Sequence, residues 1–150
     1  MRLVIQRVSS ASVDIEGKRV SQIGRGLLIL VGVAEGDTPA DVEWLVGKTA
    51  NMRIFPDENG VMNRSVLDID GEALAVSQFT LTASTKKGNR PSYIHAAGHD
   101  LAIPLYEMYC ERLSAAIGRE VGRGVFGADM QVALVNDGPV TIIIDSRLRE

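Results

Sequence analysis

The sequence contains a single cysteine, Cys110, so no disulfide can close within the chain. Aromatic residues make up only 5% of it, and no run of about 20 apolar residues offers a membrane-spanning helix. A charged-then-apolar leader is also missing, and a reduced cytoplasmic protein is the expectation. Positive charge is scarce: 16 Lys and Arg stand against 19 Asp and Glu, for a net charge of −3. That balance argues against broad, nonspecific coating of nucleic acid, so any RNA partner has to be met by a local basic patch. What is present is ordinary for one globular domain. The 150 residues are 45% hydrophobic, enough to bury one core without a disulfide or metal staple.

No repeat, low-complexity stretch or linker divides the chain, and no domain boundary is placed. Leu3, Ile5, Val8, Val13 and Ile15 predict a long, bent first strand, with a turn at Gly17-Lys18 before Val20–Ile23. The segment Leu27–Val33 is apolar on both faces and reads as a central strand. Thr38 caps a helix with Pro39 in its first position, running to about Asn51 with Val42, Leu45, Val46 and Thr49 on one face. Arg53-Ile54-Phe55 and Ala73–Leu81 read as strands, and a second helix runs from about Asp100 to Gly118. Met130–Val135 and Val140–Ile144 read as a terminal hairpin joined by Asn136-Asp137-Gly138-Pro139. The expected class is α+β, a single domain with a mostly antiparallel sheet or open β-barrel and two main helices. Residues 146–150 extend past the last strand and are expected to trail as a flexible tail.

Several chemical motifs fail on context. Gly122-Arg123-Gly124-Val125-Phe126-Gly127 matches G-x-G-x-x-G, but a dinucleotide site needs a strand before the glycines and a helix after them. Here the order is reversed, which leaves a tight connection that can line a site. His95 and His99 are four apart with Gly98 between them and no third ligand in view, so a metal site has little support. No G-x-S-x-G elbow is present for a serine hydrolase. Cys110 sits on an apolar helical face, which suits burial better than nucleophilic duty.

Three segments keep two readings each. Lys86, Lys87 and Arg90 form the densest positive segment, either a solvated loop or a phosphate contact. Ser77-Gln78-Phe79-Thr80 puts polar groups beside an aromatic at the end of an apolar run, either a capped strand edge or part of a site. Asn136–Pro139 is either a plain turn or something more, with a cis bond before Pro139 uncommon in general.

Ile5-Gln6-Arg7-Val8, Val76-Ser77-Gln78-Phe79-Thr80-Leu81, Gly88-Asn89-Arg90-Pro91-Ser92 and Val135-Asn136-Asp137-Gly138-Pro139-Val140-Thr141, taken together in order, resemble the D-aminoacyl-tRNA deacylase family across essentially the whole chain. The resemblance implies a homodimer that hydrolyses the ester between a D-amino acid and the terminal adenosine of tRNA. It also implies removal of glycine mischarged on tRNA for alanine, and rejection of L-aminoacyl-tRNA. By the same resemblance Ser77, Gln78, Phe79 and Thr80 form the catalytic pocket, with Phe79 near the adenine. Gly138 and Pro139, joined by a cis bond, would reach into the partner subunit's pocket and set chirality, while Lys86, Lys87 and Arg90 are the candidates for tRNA contact. No metal or organic cofactor belongs to the family, and no membrane partner is implied. An aminoacyl ester is already activated, so a positioned water and backbone N–H donors can supply much of the catalysis. Thr80 would need an adjacent base to act as nucleophile, and none is evident in the sequence. The rival classes are a metal-independent esterase or amidase for small molecules and a noncatalytic RNA-binding module.

Overall fold

A computed structural model describes all residues, Met1–Glu150. Its frame is one long strand, β1 (Arg2–Ile15), that has partners along both of its edges in a mixed sheet. Along one edge β1 pairs antiparallel with β2 (Lys18–Ile23) and with β3 (Gly26–Gly32). Helix α1 (Pro39–Asn51) follows, then a two-stranded flap of β4 (Phe55–Pro56) and β5 (Met62–Arg64). The next strand, β6 (Glu72–Ser77), lies parallel to β3, as β7 (Gly122–Arg123) does to β6 after helix α2 (His99–Ile117). The chain closes with β8 (Gln131–Asp145) on the other edge of β1.

The apolar run in β3 is buried on both faces because the sheet has two cores. Leu27, Ile29 and Val31 point with Leu3, Ile5, Ala73 and Ala75 toward the helices. Leu28 points the other way, joining Val8, Ala11, Val13, Leu74 and Val76 inside the curl of the sheet, against Val132 and Leu134. The curl is nearly barrel-like, as expected, though β3, β6 and β7 make part of the sheet parallel. Thr38 and Pro39 start α1 as read, the Thr38 N–H donating to the Asp41 carboxylate at 2.8 Å.

Three expectations are corrected. The strand over Ala73–Leu81 stops at Ser77, because the chain turns through a single 3-10 turn at Phe79–Thr82. Arg53 and Ile54 lie outside the short strand, which holds only Phe55 and Pro56. The terminal hairpin is absent: β8 is one 15-residue strand, and both of its halves pair with β1 rather than with each other. A 14-residue partner strand offers a continuous ladder that outcompetes a local turn. The turn residues survive as a bulge. Gln6 pairs with Thr141 and Val8 with Asn136, so two steps along β1 span five along β8 and the four residues Asp137, Gly138, Pro139 and Val140 are looped out. The Gly138–Pro139 bond is cis.

The last residues are also anchored where a tail was expected. Ser146 is buried, its Oγ accepting from the Met1 ammonium at 2.9 Å, and that ammonium pairs with Asp37 at 2.7 Å out of contact with solvent. Arg147 reaches Asp37 at 2.9 Å, and the Arg149 guanidinium lies 4.3 Å from the centre of the Trp44 ring.

Helices α1 and α2 are joined by a buried hydroxyl relay in which Tyr109 bonds Thr49 at 2.8 Å and Thr49 Oγ1 donates to the Leu45 carbonyl at 2.8 Å. The relay predicts unequal losses. Tyr109→Phe leaves Thr49 with its carbonyl and should cost about 0.5–1.5 kcal/mol, whereas Thr49→Val strands the tyrosine hydroxyl and should cost about 1–3 kcal/mol in denaturant unfolding.

Candidate active site

The parallel pair β3 and β6 end together, and the Gln78 N–H donates to the Val31 carbonyl at 2.8 Å to carry the ladder one residue past β6. Beyond Gln78 the backbone turns into the Phe79–Thr82 turn, which leaves the N–H groups of Phe79 and Thr80 without a partner inside the turn. A cavity of about 520 Å³ opens at this point. Ser77, Gln78 and Phe79 form one wall, Ala96 and Ala97 a second, and Tyr106 and Phe126 the floor beside the helices. Its lining is largely apolar with a few polar groups at the strand ends, the usual make-up of a small-ligand site.

The polar groups are placed without a strong base among them. Gln78 Nε2 donates to Thr80 Oγ1 at 2.5 Å, and Thr80 is not on the cavity wall. The Tyr106 hydroxyl donates to the Ala75 carbonyl at 2.7 Å, and burial pushes its pKa well above the ordinary tyrosine value, so it stays a neutral donor. Cys110 lies buried behind it, its thiol pushed up to about 11 chiefly by burial, which suits the packing role read from the sequence. His99 is on the wall, edge-on to Phe126 with ring centres 5.4 Å apart.

The two histidines are not brought to one site. His95 lies outside the cavity, where its carbonyl accepts from the Glu35 N–H, and no cluster of three metal-ligating side chains forms anywhere. The glycine-rich segment Gly122–Gly127 follows a helix, and its Phe126 and Gly127 line the cavity, as a tight connection can. Lys86, Lys87 and Arg90 are exposed on a loop whose base is closed by reciprocal backbone bonds between Ser84 and Ser92, at 2.8 and 2.9 Å.

Gly138 and Pro139 do not line this chain's own cavity. Their bulge projects from β8 and is held from beneath by Arg7, which is 9% exposed and donates to the Asp137 carbonyl at 2.9 Å and the Ile54 carbonyl at 2.7 Å. Gly138 adopts a φ of +146°, and a Cβ there would meet the Val140 backbone nitrogen at 2.9 Å. Only glycine fits that position without moving the bulge. Ala96, Ala97 and Tyr106 carry no sequence signal of a site, since tertiary packing alone brings them to Ser77.

The model of the family described as D-Tyr-tRNA(Tyr) deacylase matches residues 4–145. The chain belongs to the D-aminoacyl-tRNA deacylase family. Members named D-aminoacyl-tRNA deacylase from Bacteroides thetaiotaomicron and Porphyromonas gingivalis are 60% and 63% identical to it, each over the full length of both chains. Among solved structures, one named c-Myc DNA Unwinding Element Binding Protein is 41% identical, with a TM-score of 0.92 over 97% of this deacylase-family chain and 98% of that one. A probable eukaryotic D-amino acid tRNA deacylase shares the fold at a TM-score of 0.82, with 18% identity over 95% of this chain and 97% of that one.

Proposed function

We propose that this deacylase-family protein hydrolyses the ester of D-aminoacyl-tRNA, rejects the L-ester, and also frees glycine from mischarged tRNA(Ala), serving as a chirality check in cytoplasmic translation. The observation that carries the reading is family membership over residues 4–145, joined to a cavity whose polar groups lie where two parallel strands end at Ser77-Gln78-Phe79. In the proposed step water adds to the ester carbonyl. The carbonyl oxygen takes up negative charge, and the ribose oxygen leaves to give free amino acid and intact tRNA. The N–H group of Phe79, on the cavity wall, is the donor assigned to that oxyanion, with the substrate's own ribose hydroxyl assisting proton transfer.

The active unit is proposed to be a homodimer in which the Gly138–Pro139 bulge of one subunit enters the cavity of the other. Support comes from the bulge's exposure and from the free outer edge of β8, where Val135 and Ile143 are 57% and 68% exposed. Thr80 is assigned an orienting role, because its hydroxyl accepts from an amide and has no base beside it. Thr80→Ala should therefore keep a substantial share of the hydrolysis rate, while loss of a covalent nucleophile would cost several orders of magnitude. Trapping an acyl group on Thr80 by mass spectrometry would contradict the assignment.

Phosphate contact is assigned to Lys86, Lys87 and Arg90. Replacing all three by Ala should raise KM for the tRNA more than it lowers kcat, and should flatten the salt dependence by up to about three phosphate contacts. The noncatalytic nucleic-acid-binding alternative draws on the 41% identical protein, whose name describes it as binding DNA. Tight binding of D-aminoacyl-tRNA with no release of amino acid would favour it.

A further inference from the structure

The chain has one Trp, three Tyr and three Phe, and five of these seven are withdrawn from solvent. Phe55, Tyr106 and Tyr109 are buried, and Trp44 and Phe126 are half-buried. The two exposed aromatics, Phe79 at 54% and Tyr93 at 40%, stand against each other, with ring centres 5.0 Å apart and planes at 70°. Ile94 beside them is 74% exposed. A single exposed aromatic needs no explanation, but the only two in an aromatic-poor protein meeting at the cavity that Ser77 and Gln78 line do. Phe79 lines that cavity and Tyr93 stands just outside it.

The charge around this pair has one sign. From Ala73 to His99 the chain carries Lys86, Lys87 and Arg90 and no acidic residue, within a protein whose net charge is −3. The backbone bonds between Ser84 and Ser92 close the loop directly before Tyr93, so the three cations extend from the base of the aromatic pair. Exposed aromatic faces next to a basic segment are the elements with which proteins hold single-stranded nucleic acid, bases stacking on rings and phosphates meeting cations. Two rings near a right angle cannot face two mutually stacked bases. They suit two bases splayed apart, one on each ring.

We infer that Tyr93 is the stacking platform for the nucleobase immediately 5′ of the terminal adenosine, and that the tRNA's single-stranded 3′ end leaves the cavity over Tyr93 toward the Lys86–Arg90 loop. This rests on the cavity being the aminoacyl-adenosine site. It assigns Tyr93 to binding the tRNA chain and not to the chemistry at the ester.

The test compares two substrates, D-aminoacyl-tRNA and the same D-amino acid esterified to adenosine alone, with wild type, Tyr93→Ala, Tyr93→Leu and Tyr93→Phe. Loss of one base–aromatic stack should lower kcat/KM for the tRNA ester on the order of 10-fold, mostly through KM, in both the Ala and the Leu variants. Tyr93→Phe should restore it, and the adenosine ester should be hydrolysed at the wild-type rate throughout. The deficit should persist at high salt, where the contribution of the loop cations fades. Three outcomes overturn the inference: equal losses on both substrates, a Leu variant as good as Phe, or a Tyr93→Ala variant of unchanged KM for the tRNA. Tyr93→Leu keeps an apolar contact with Phe79, so a loss caused only by that contact shows as recovery in Leu. Wild-type protein inert toward both esters overturns the site reading itself and the inference with it.

Discussion

On tRNA esters of D-alanine, glycine and L-alanine, hydrolysis should be fast, measurable and negligible, in that order. Exchanging L for D at the substrate's Cα swaps a methyl with a hydrogen, so discrimination requires something rigid where the L side chain would lie. The bulge at Gly138 and Pro139 has that stiffness. Arg7 holds it from below through the Asp137 carbonyl, the ladder with β1 continues on both sides, and the proline ring fixes its own φ. Repulsion against such backbone rises far more steeply than the roughly 1–3 kcal/mol that a methylene contact can gain, so the D:L rate ratio should exceed the roughly 10- to 200-fold typical of a pocket that merely prefers one side chain. Glycine has no side chain to clash and should enter. An enzyme that excludes by backbone needs no fitted pocket for D side chains, and several D-amino acids should be accepted. Comparable rates for D- and L-alanine would refute the mechanism.

Gly138→Ala should cost about 100-fold in kcat/KM while changing the unfolding midpoint little, since a displacement on the order of 1 Å at a positioning element is enough for such a loss. The added Cβ would sit 2.8 Å from Val140 Cγ2 and 2.9 Å from the Val140 nitrogen, and φ at +146° is a conformation that L side chains rarely adopt. The strain falls on an exposed bulge, so the bulge moves and the two cores do not. Activity assayed beside thermal melting separates the effects. A variant with wild-type kcat/KM would remove the bulge from the site, and one that fails to fold would make Gly138 a structural residue first.

The sequence was most readable where local chemistry and tertiary packing agree. Thr38 and Pro39 specify the start of α1, and the unbroken apolar run of β3 announces a strand with a core on each side. It misled where they compete. Asn136-Asp137-Gly138-Pro139 has the composition of a hairpin turn, but β1 is long enough to pair with the residues on both sides of it, so the turn became a bulge in one strand. The polar set Ser77-Gln78-Phe79-Thr80 was visible as a candidate because it interrupts an apolar run, though the 3-10 turn that ends the strand was not. Phe126 lies in the glycine-rich connection that the sequence marked as able to line a site, but Tyr106 and Ala96 could not be found at all, because each reaches the cavity from a different element.

The most direct test of the central claim is amino-acid release from D-tyrosyl-tRNA, L-tyrosyl-tRNA and a simple small-molecule ester, followed side by side with the same protein. Rapid release from the D-ester of tRNA, with little from the L-ester or the simple ester, is the expected result. Equal hydrolysis of all three would mean a general esterase, and binding of the tRNA without release would mean no hydrolase at all.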